Sequence, residues 1–171
     1  MQQVPDGDGP MASPQLKSWV VWAWLALTVA VALAFLPVLD ALGGPLLDTV
    51  LTGDAARKRL AELSLTQRDL HLWTTALLDS LYPFAYGNLC LALARRGPPL
   101  WTRRLMWVTV AGVLADLSEN AVQLLALTGT ADWLAAKNVL TPAKFGLVTL
   151  AETLAVVGVL VQRRRSGAAS G

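Results

Sequence analysis

Ionisable and hydrogen-bonding side chains interrupt the long apolar stretches of this sequence at helical spacing. The candidate residues are Asp79, Tyr82, Tyr86, Asp116, Glu119, Asn120, Lys144 and Glu152. The first three are separated by three and four residues, so they share one face of a helix, and the next three form a second such face. Because carboxylic acids and tyrosines donate, accept and exchange protons, these residues could hold a polar ligand or carry a proton.

A charged side chain is costly inside a membrane. Its insertion at the bilayer centre costs about 2.5 kcal/mol or more of free energy, so the side chain should face other helices and have a partner. With a rise of about 1.5 Å per residue, two antiparallel helices would bring Asp79 to the depth of Glu119 and Tyr82 to the depth of Asp116. Lys144 would lie within reach of these acids. Interhelical hydrogen bonds worth about 0.6 kcal/mol each are the alternative interpretation, in which the polar residues only hold helices together.

Four apolar segments are long enough to carry these residues across a membrane. The chain is 54% hydrophobic and 15% charged, whereas soluble domains carry about 25% charged residues. A membrane helix needs about 20 apolar residues, and lipid offers backbone groups no partners, which favours helices. We therefore predict an all-α transmembrane four-helix bundle over residues 18–162, with spans at 18–39, 71–94, 105–128 and 141–162.

The basic residues predict the orientation of this bundle. If there are four spans, eight basic residues lie on one side: Lys17, Arg95, Arg96, Arg103, Arg104, Arg163, Arg164 and Arg165. The other side has five: Arg57, Lys58, Arg59, Arg68 and Lys137. Since the more basic side faces the cytoplasm, we expect both termini there.

The remaining segments are polar. Residues 1–17 and 163–171 should be a disordered tail and a basic, flexible tail. Ala32-Leu33-Ala34 has the form of a signal-peptide cleavage site. The alternative interpretation of the first apolar segment is therefore a signal peptide that is cleaved off.

The long loop at 40–70 contains two helix signals. Asp54 could cap a short helix that lies on the membrane surface or, alternatively, covers a site as a lid. Ser64 and Gln67 have capping-box spacing and should start the helix that becomes the second span.

Three motifs resemble those of a group of small bacterial four-span membrane proteins that are known only as hypothetical or uncharacterised. They are D-S-L-Y-P-F-A-Y from Asp79, D-L-S-E-N from Asp116 and T-P-A-K from Thr141. The likeness covers roughly residues 60–150. It implies the four-helix architecture and a bacterial inner-membrane location, and it implies no reaction.

Several functions remain open. The protein could bind a small or lipid-like molecule at the polar residues, and in an enzymatic version two carboxyl groups would act as general acid and base. It could carry protons or cations as a homo-oligomer, or it could be an assembly protein without a ligand. The sequence lacks the residues around His71 that a serine triad or a zinc site would need. The single Cys90 is best interpreted as a buried hydrophobe. The sequence predicts no metal and no cofactor. It also predicts no nucleic-acid partner, because the arginine clusters flank spans.

Overall fold

The computed structural model describes residues 17–97 and 99–168, which form an all-α protein without strands in that part of the chain. Its six helices are α1 (Ser18–Leu42), α2 (Gly53–Glu62), α3 (Leu65–Thr74), α4 (Ser80–Ala94), α5 (Pro99–Thr128) and α6 (Lys137–Ala168). Two 3-10 turns, Leu47–Thr49 and Leu134–Ala136, precede α2 and α6. Apart from Lys17, the tail predicted at 1–17 lies outside the described residues.

Three helical stretches are long and apolar enough to cross a membrane, namely Ser18–Leu42, Trp101–Thr128 and Leu134–Arg164. Large apolar side chains cover their outer surfaces, including Leu36, Leu114 and Leu160, each more than half exposed. Such a surface is stable in lipid and costly in water. The prediction of a helical membrane protein is therefore confirmed.

Helix α4 lies at the centre of the helix packing, in contact with α1, α5 and α6. A π-helical turn, Thr75–Asp79, joins it to α3, and the Ser80 hydroxyl donates a hydrogen bond of 2.9 Å to the Thr75 carbonyl in this turn. The helix predicted to begin after the capping box thus runs from Leu65 to Ala94 with one widened turn. Such π turns occur often at functional sites.

A folded segment covers one end of the bundle, and we call residues 43–63 the cap. It begins where Gly43, in the left-handed conformation at φ 61°, ends α1. Leu47 is fully buried in an apolar core with Val122 and Leu134. The predicted short helix exists as α2, but Thr52 rather than Asp54 caps it, because the Thr52 hydroxyl accepts the Ala55 N–H at 3.3 Å.

Polar contacts fasten the cap and the start of α3 to the bundle. The Arg57 guanidinium donates to Asp132 at 2.7 Å and holds the pKa of that exposed carboxyl below its usual value. Arg68 donates to the Leu127 carbonyl at 2.6 Å, at the end of α5. The predicted capping box is confirmed: Ser64 N–H donates to Gln67 Oε1 at 3.0 Å, and Gln67 N–H donates to Ser64 Oγ at 3.2 Å.

The other end of the bundle is rich in arginine, and we call it the arginine end. Helix α6 continues to Ala168, so residues 163–168, predicted as a flexible tail, are helical. Arginine is a good helix former, and its charge is favourable near a helix C-terminus. Residues 169–171 lie outside the described residues.

Candidate functional site

Glu119 forms the centre of a buried set of polar contacts between α5 and α6. Its carboxylate pairs with the ammonium groups of Lys137 and Lys144, the latter at 2.8 Å. The Thr141 hydroxyl donates a third contact at 2.6 Å. Glu119, Lys137 and Thr141 are each 0% exposed. Breaking one partner of such a buried pair leaves an uncompensated charge, which makes the arrangement energetically sensitive.

Lys144 joins three carboxylates from different parts of the chain. It pairs with Asp48 of the first 3-10 turn, and its ammonium lies 3.5 Å from Asp116 and 2.8 Å from Glu119. Oxygens of these three acids lie within 4.8 Å of one another, a spacing at which they could share a cation. Lys144 supplies the positive charge there.

Tyr86 connects α4 to this group. Its hydroxyl donates to the Asp116 carboxylate at 3.0 Å. The helical rise predicts Tyr82 at the depth of Asp116 instead. The difference arises because helical side chains tilt toward the helix N-terminus, which brings the hydroxyl of Tyr86 back about one turn. Tyr82 is half-buried, and its ring packs edge-on against Tyr86 at 5.4 Å and Phe35 at 6.3 Å between centroids.

Asn120 compensates a backbone group that Pro83 leaves without its helical donor. Proline has no N–H, so the carbonyl of Asp79, four residues earlier, loses its usual partner. The Asn120 side-chain amide donates to this carbonyl at 2.9 Å. The carbonyl that Pro83 frees is therefore satisfied by a side chain of α5. Asp79 itself is buried, with 6% exposure.

These contacts define the buried polar cluster, which consists of Asp48, Asp79, Tyr86, Asp116, Glu119, Asn120, Lys137, Thr141 and Lys144. Several polar atoms along the same face of α5 find no hydrogen-bond partner among the described residues. They are Asn120 Oδ1, both amide atoms of Gln123 and the hydroxyl of Thr109. Buried polar groups of this kind usually bind ordered water.

His71 lies fully buried under the cap and belongs to the fold. Its Nε2 accepts the Leu47 N–H at 2.9 Å, and its Nδ1 lies 3.3 Å from the Thr75 hydroxyl. Because Nε2 accepts a hydrogen bond, it carries no proton in this contact. The histidine thus anchors the cap to α3.

Two predicted site residues lie outside the cluster: Tyr82, which packs against the ring of Tyr86, and Glu152. Glu152 lines a lateral groove of about 640 Å³ between α1, α4 and α6, and its side chain is exposed there. We call this cavity the lateral groove. Its walls include Trp22, Leu89, Cys90, Leu93, Val156 and Val159, and Arg96 and Arg163 line it at the arginine end. Tyr86 also lines it, so this residue belongs to both the lateral groove and the cluster.

Three members of the cluster are not among the predicted site residues, namely Lys137, Thr141 and Asp48. Lys137 was counted among the basic residues outside the membrane, yet it shares one helical face with Thr141 and Lys144 by its spacing of four and three residues. That spacing was an available signal. Asp48 lies in a loop and carries no comparable periodic signal. The cluster therefore contains two lysines, where the sequence suggested one.

Comparisons of this chain with protein-family models, with curated proteins and with solved structures find no match. The resemblance to small bacterial four-span proteins stays a prediction.

Proposed function

We propose that this protein is a four-span protein of the bacterial inner membrane that binds an anionic phospholipid in the lateral groove, beside the buried polar cluster. The observation that carries the proposal is a largely apolar groove with Arg96 and Arg163 at one end. Ligand cavities of about 300–1,000 Å³ are typically apolar with a few polar groups that fix orientation. This groove matches that description.

The dimensions of the lateral groove suit one lipid leaflet. Eleven residues separate Arg163 from Glu152, which is about 16 Å along α6. That length is close to half of the ~30 Å hydrocarbon core. A lipid phosphate at the two arginines would let an acyl chain lie along Leu93 and Val159 toward the bilayer centre. Guanidinium groups bind phosphate oxygens with bidentate hydrogen bonds.

The fourth span is supported by the packing of α4. This helix contacts three helices, α1, α5 and α6, whose stretches are long and apolar enough to cross a membrane. Together with α3 and the π-helical turn, it continues the helix from Leu65 to Ala94. The basic residues at the arginine end support a cytoplasmic position for that end and for both termini. The lipid would then come from the inner leaflet.

A lipid-dependent melting experiment tests the proposal. The purified protein in mild detergent is titrated with phosphatidylglycerol or with phosphatidylcholine of the same chain length. We expect phosphatidylglycerol to raise the melting temperature more, since a ligand of the folded state stabilises it. The double variant Arg96→Gln, Arg163→Gln should weaken phosphatidylglycerol binding about 30-fold, at about 1 kcal/mol per arginine.

Arg103 and Arg104 provide the matched control. Both are exposed at the start of α5 near the arginine end, and neither is among the residues that line the lateral groove. The double variant Arg103→Gln, Arg104→Gln should keep the preference for phosphatidylglycerol. An equal loss in both double variants would mean non-specific attraction to surface charge and would contradict the proposal. So would a wild-type protein that treats the two lipids alike.

A further inference from the structure

We propose that the buried polar cluster conducts protons between the cap end of the bundle and the lateral groove, through Asp48, Asp116 and Tyr86. The inference stands on the geometry of the cluster and does not depend on lipid binding in the groove. It also gives a role to Glu152, a carboxyl group on the groove wall.

A continuous chain of contacts links the two ends of this path. The side chain of Asp48 is 19% exposed at the cap end and pairs with Lys144. The Lys144 ammonium is 3.5 Å from Asp116, which accepts the hydrogen bond of Tyr86 at 3.0 Å. Tyr86 in turn lines the lateral groove together with Glu152. Each neighbouring pair thus lies in direct contact or shares one cavity.

The spacing of the carboxylates suits proton transfer through water. Oxygens of Asp48, Asp116 and Glu119 lie within 4.8 Å of one another. One water molecule with two hydrogen bonds of ordinary length, about 2.8 Å each, bridges such a gap. Lys144 contacts all three acids and compensates negative charge, so a proton can pass between carboxylates while the ammonium stays in position.

Buried polar atoms without protein partners support water along this path. Asn120 Oδ1 and both amide atoms of Gln123 are in this state among the described residues, and the two side chains are 1% and 0% exposed. Both residues share the face of α5 that carries Asp116 and Glu119. An unpaired buried amide is destabilising, so ordered water is the expected partner.

A proton on Asp48 passes through one water to Asp116: the Asp48 O–H bond and one water O–H bond break, while a new water O–H bond and an Asp116 O–H bond form. Asp116 then gives its proton to the Tyr86 oxygen, and the Tyr86 hydroxyl releases its own proton through water in the lateral groove to the Glu152 carboxylate. Tyr86 ends as a neutral phenol, and the net change is one proton moved from Asp48 to Glu152.

Other titratable groups face this path and set its electrostatic field. On the helices and turn that line the path, these groups are His71, Asp79, Tyr82, Cys90, Glu119, Lys137 and Lys144. The cap adds Arg59, which lies close to His71.

Proton flux into vesicles tests the inference. The full-length protein is reconstituted in phosphatidylcholine vesicles that contain a pH-sensitive dye, and a potassium diffusion potential set with valinomycin drives proton entry. We expect the wild-type protein to acidify the vesicles faster than protein-free vesicles. Tyr86→Phe and Asp116→Asn each remove a proton carrier and should return the rate to that of protein-free vesicles.

Ser118→Ala is the matched control, because this α5 hydroxyl is exposed and donates to its own helix at Leu114. It should keep the wild-type rate, and melting curves of all variants verify folding. A wild-type rate equal to that of protein-free vesicles would overturn the inference. Full flux in Tyr86→Phe, or equal loss in Ser118→Ala, would do the same. Arg96→Gln, Arg163→Gln should retain flux, which separates this inference from the proposed lipid binding.

Discussion

At the scale of single residues, Pro83 and Asn120 act as a pair although they lie on different helices. Pro83 leaves the Asp79 carbonyl without a helical N–H, and Asn120 supplies the missing donor at 2.9 Å. A side chain of α5 therefore completes the backbone of the segment before α4. The energetic role of Asn120 depends on the presence of the proline.

A double-mutant cycle measures this dependence. Asn120→Leu alone should lower the free energy of unfolding by about 0.6–1.7 kcal/mol, the range found for interhelical hydrogen bonds in membranes. In a Pro83→Ala background the same change should cost less, because the alanine N–H can bond to the Asp79 carbonyl. Unfolding in mixed micelles of mild detergent and dodecyl sulfate gives the four values. Equal cost in both backgrounds would refute the pairing.

Residue-scale features differ in how far the sequence could predict them. The capping box of Ser64 and Gln67 was predictable because both partners lie within one helical turn. The shared face of Asp116, Glu119 and Asn120 followed from periodicity alone. To place Glu152 correctly, the direction of its side chain around the helix axis is needed as well as its depth. Glu152 follows Lys144 by eight residues, so its side chain is rotated by about 80° around the helix and points away from the cluster. Asp48 depends on how a loop folds, which local spacing does not determine.

At the scale of elements, the cap is attached by close backbone packing as well as by side-chain contacts. A Cβ added to Gly53, the first residue of α2, would lie 2.4 Å from the Leu134 carbonyl oxygen in the turn before α6. Since that atom belongs to the backbone, it cannot rotate away. The Gly53 N–H also donates to Asn138 Oδ1 at 2.9 Å.

Gly53→Ala should therefore loosen the cap. Because Lys58 is exposed in α2, limited trypsin digestion at this lysine reports the opening of the cap. We expect faster cleavage and a lower melting temperature in this variant. Gly146→Ala is the control, since a Cβ there meets nothing within 4 Å and should stabilise α6 by about 0.5–1 kcal/mol. Identical cleavage rates in Gly53→Ala and wild type would show that the contact does not hold the cap.

At the scale of the whole molecule, charge and shape divide the protein into two ends. The cap covers one end and carries Asp48, whereas Arg96 and Arg163 line the lateral groove toward the other. Tryptophans mark both ends on the outer surface: Trp19, Trp22 and Trp101 near the arginine end, and Trp73 and Trp133 near the cap, all at least 41% exposed. Exposed tryptophan is typical of the membrane–water interface.

The proposed orientation makes a direct prediction for thiol labelling. Ala61 lies exposed in α2 of the cap, and Ala168 lies exposed at the end of α6. The variants Ala61→Cys and Ala168→Cys, each in a Cys90→Ala background, are treated with a membrane-impermeant maleimide in spheroplasts. With the arginine end in the cytoplasm, Ala61→Cys should be labelled in intact spheroplasts, and Ala168→Cys only after lysis. The reverse pattern would invert the bundle and move the lipid site to the outer leaflet. Labelling of both in intact spheroplasts would mean an even number of spans between them, so α4 would not cross the membrane.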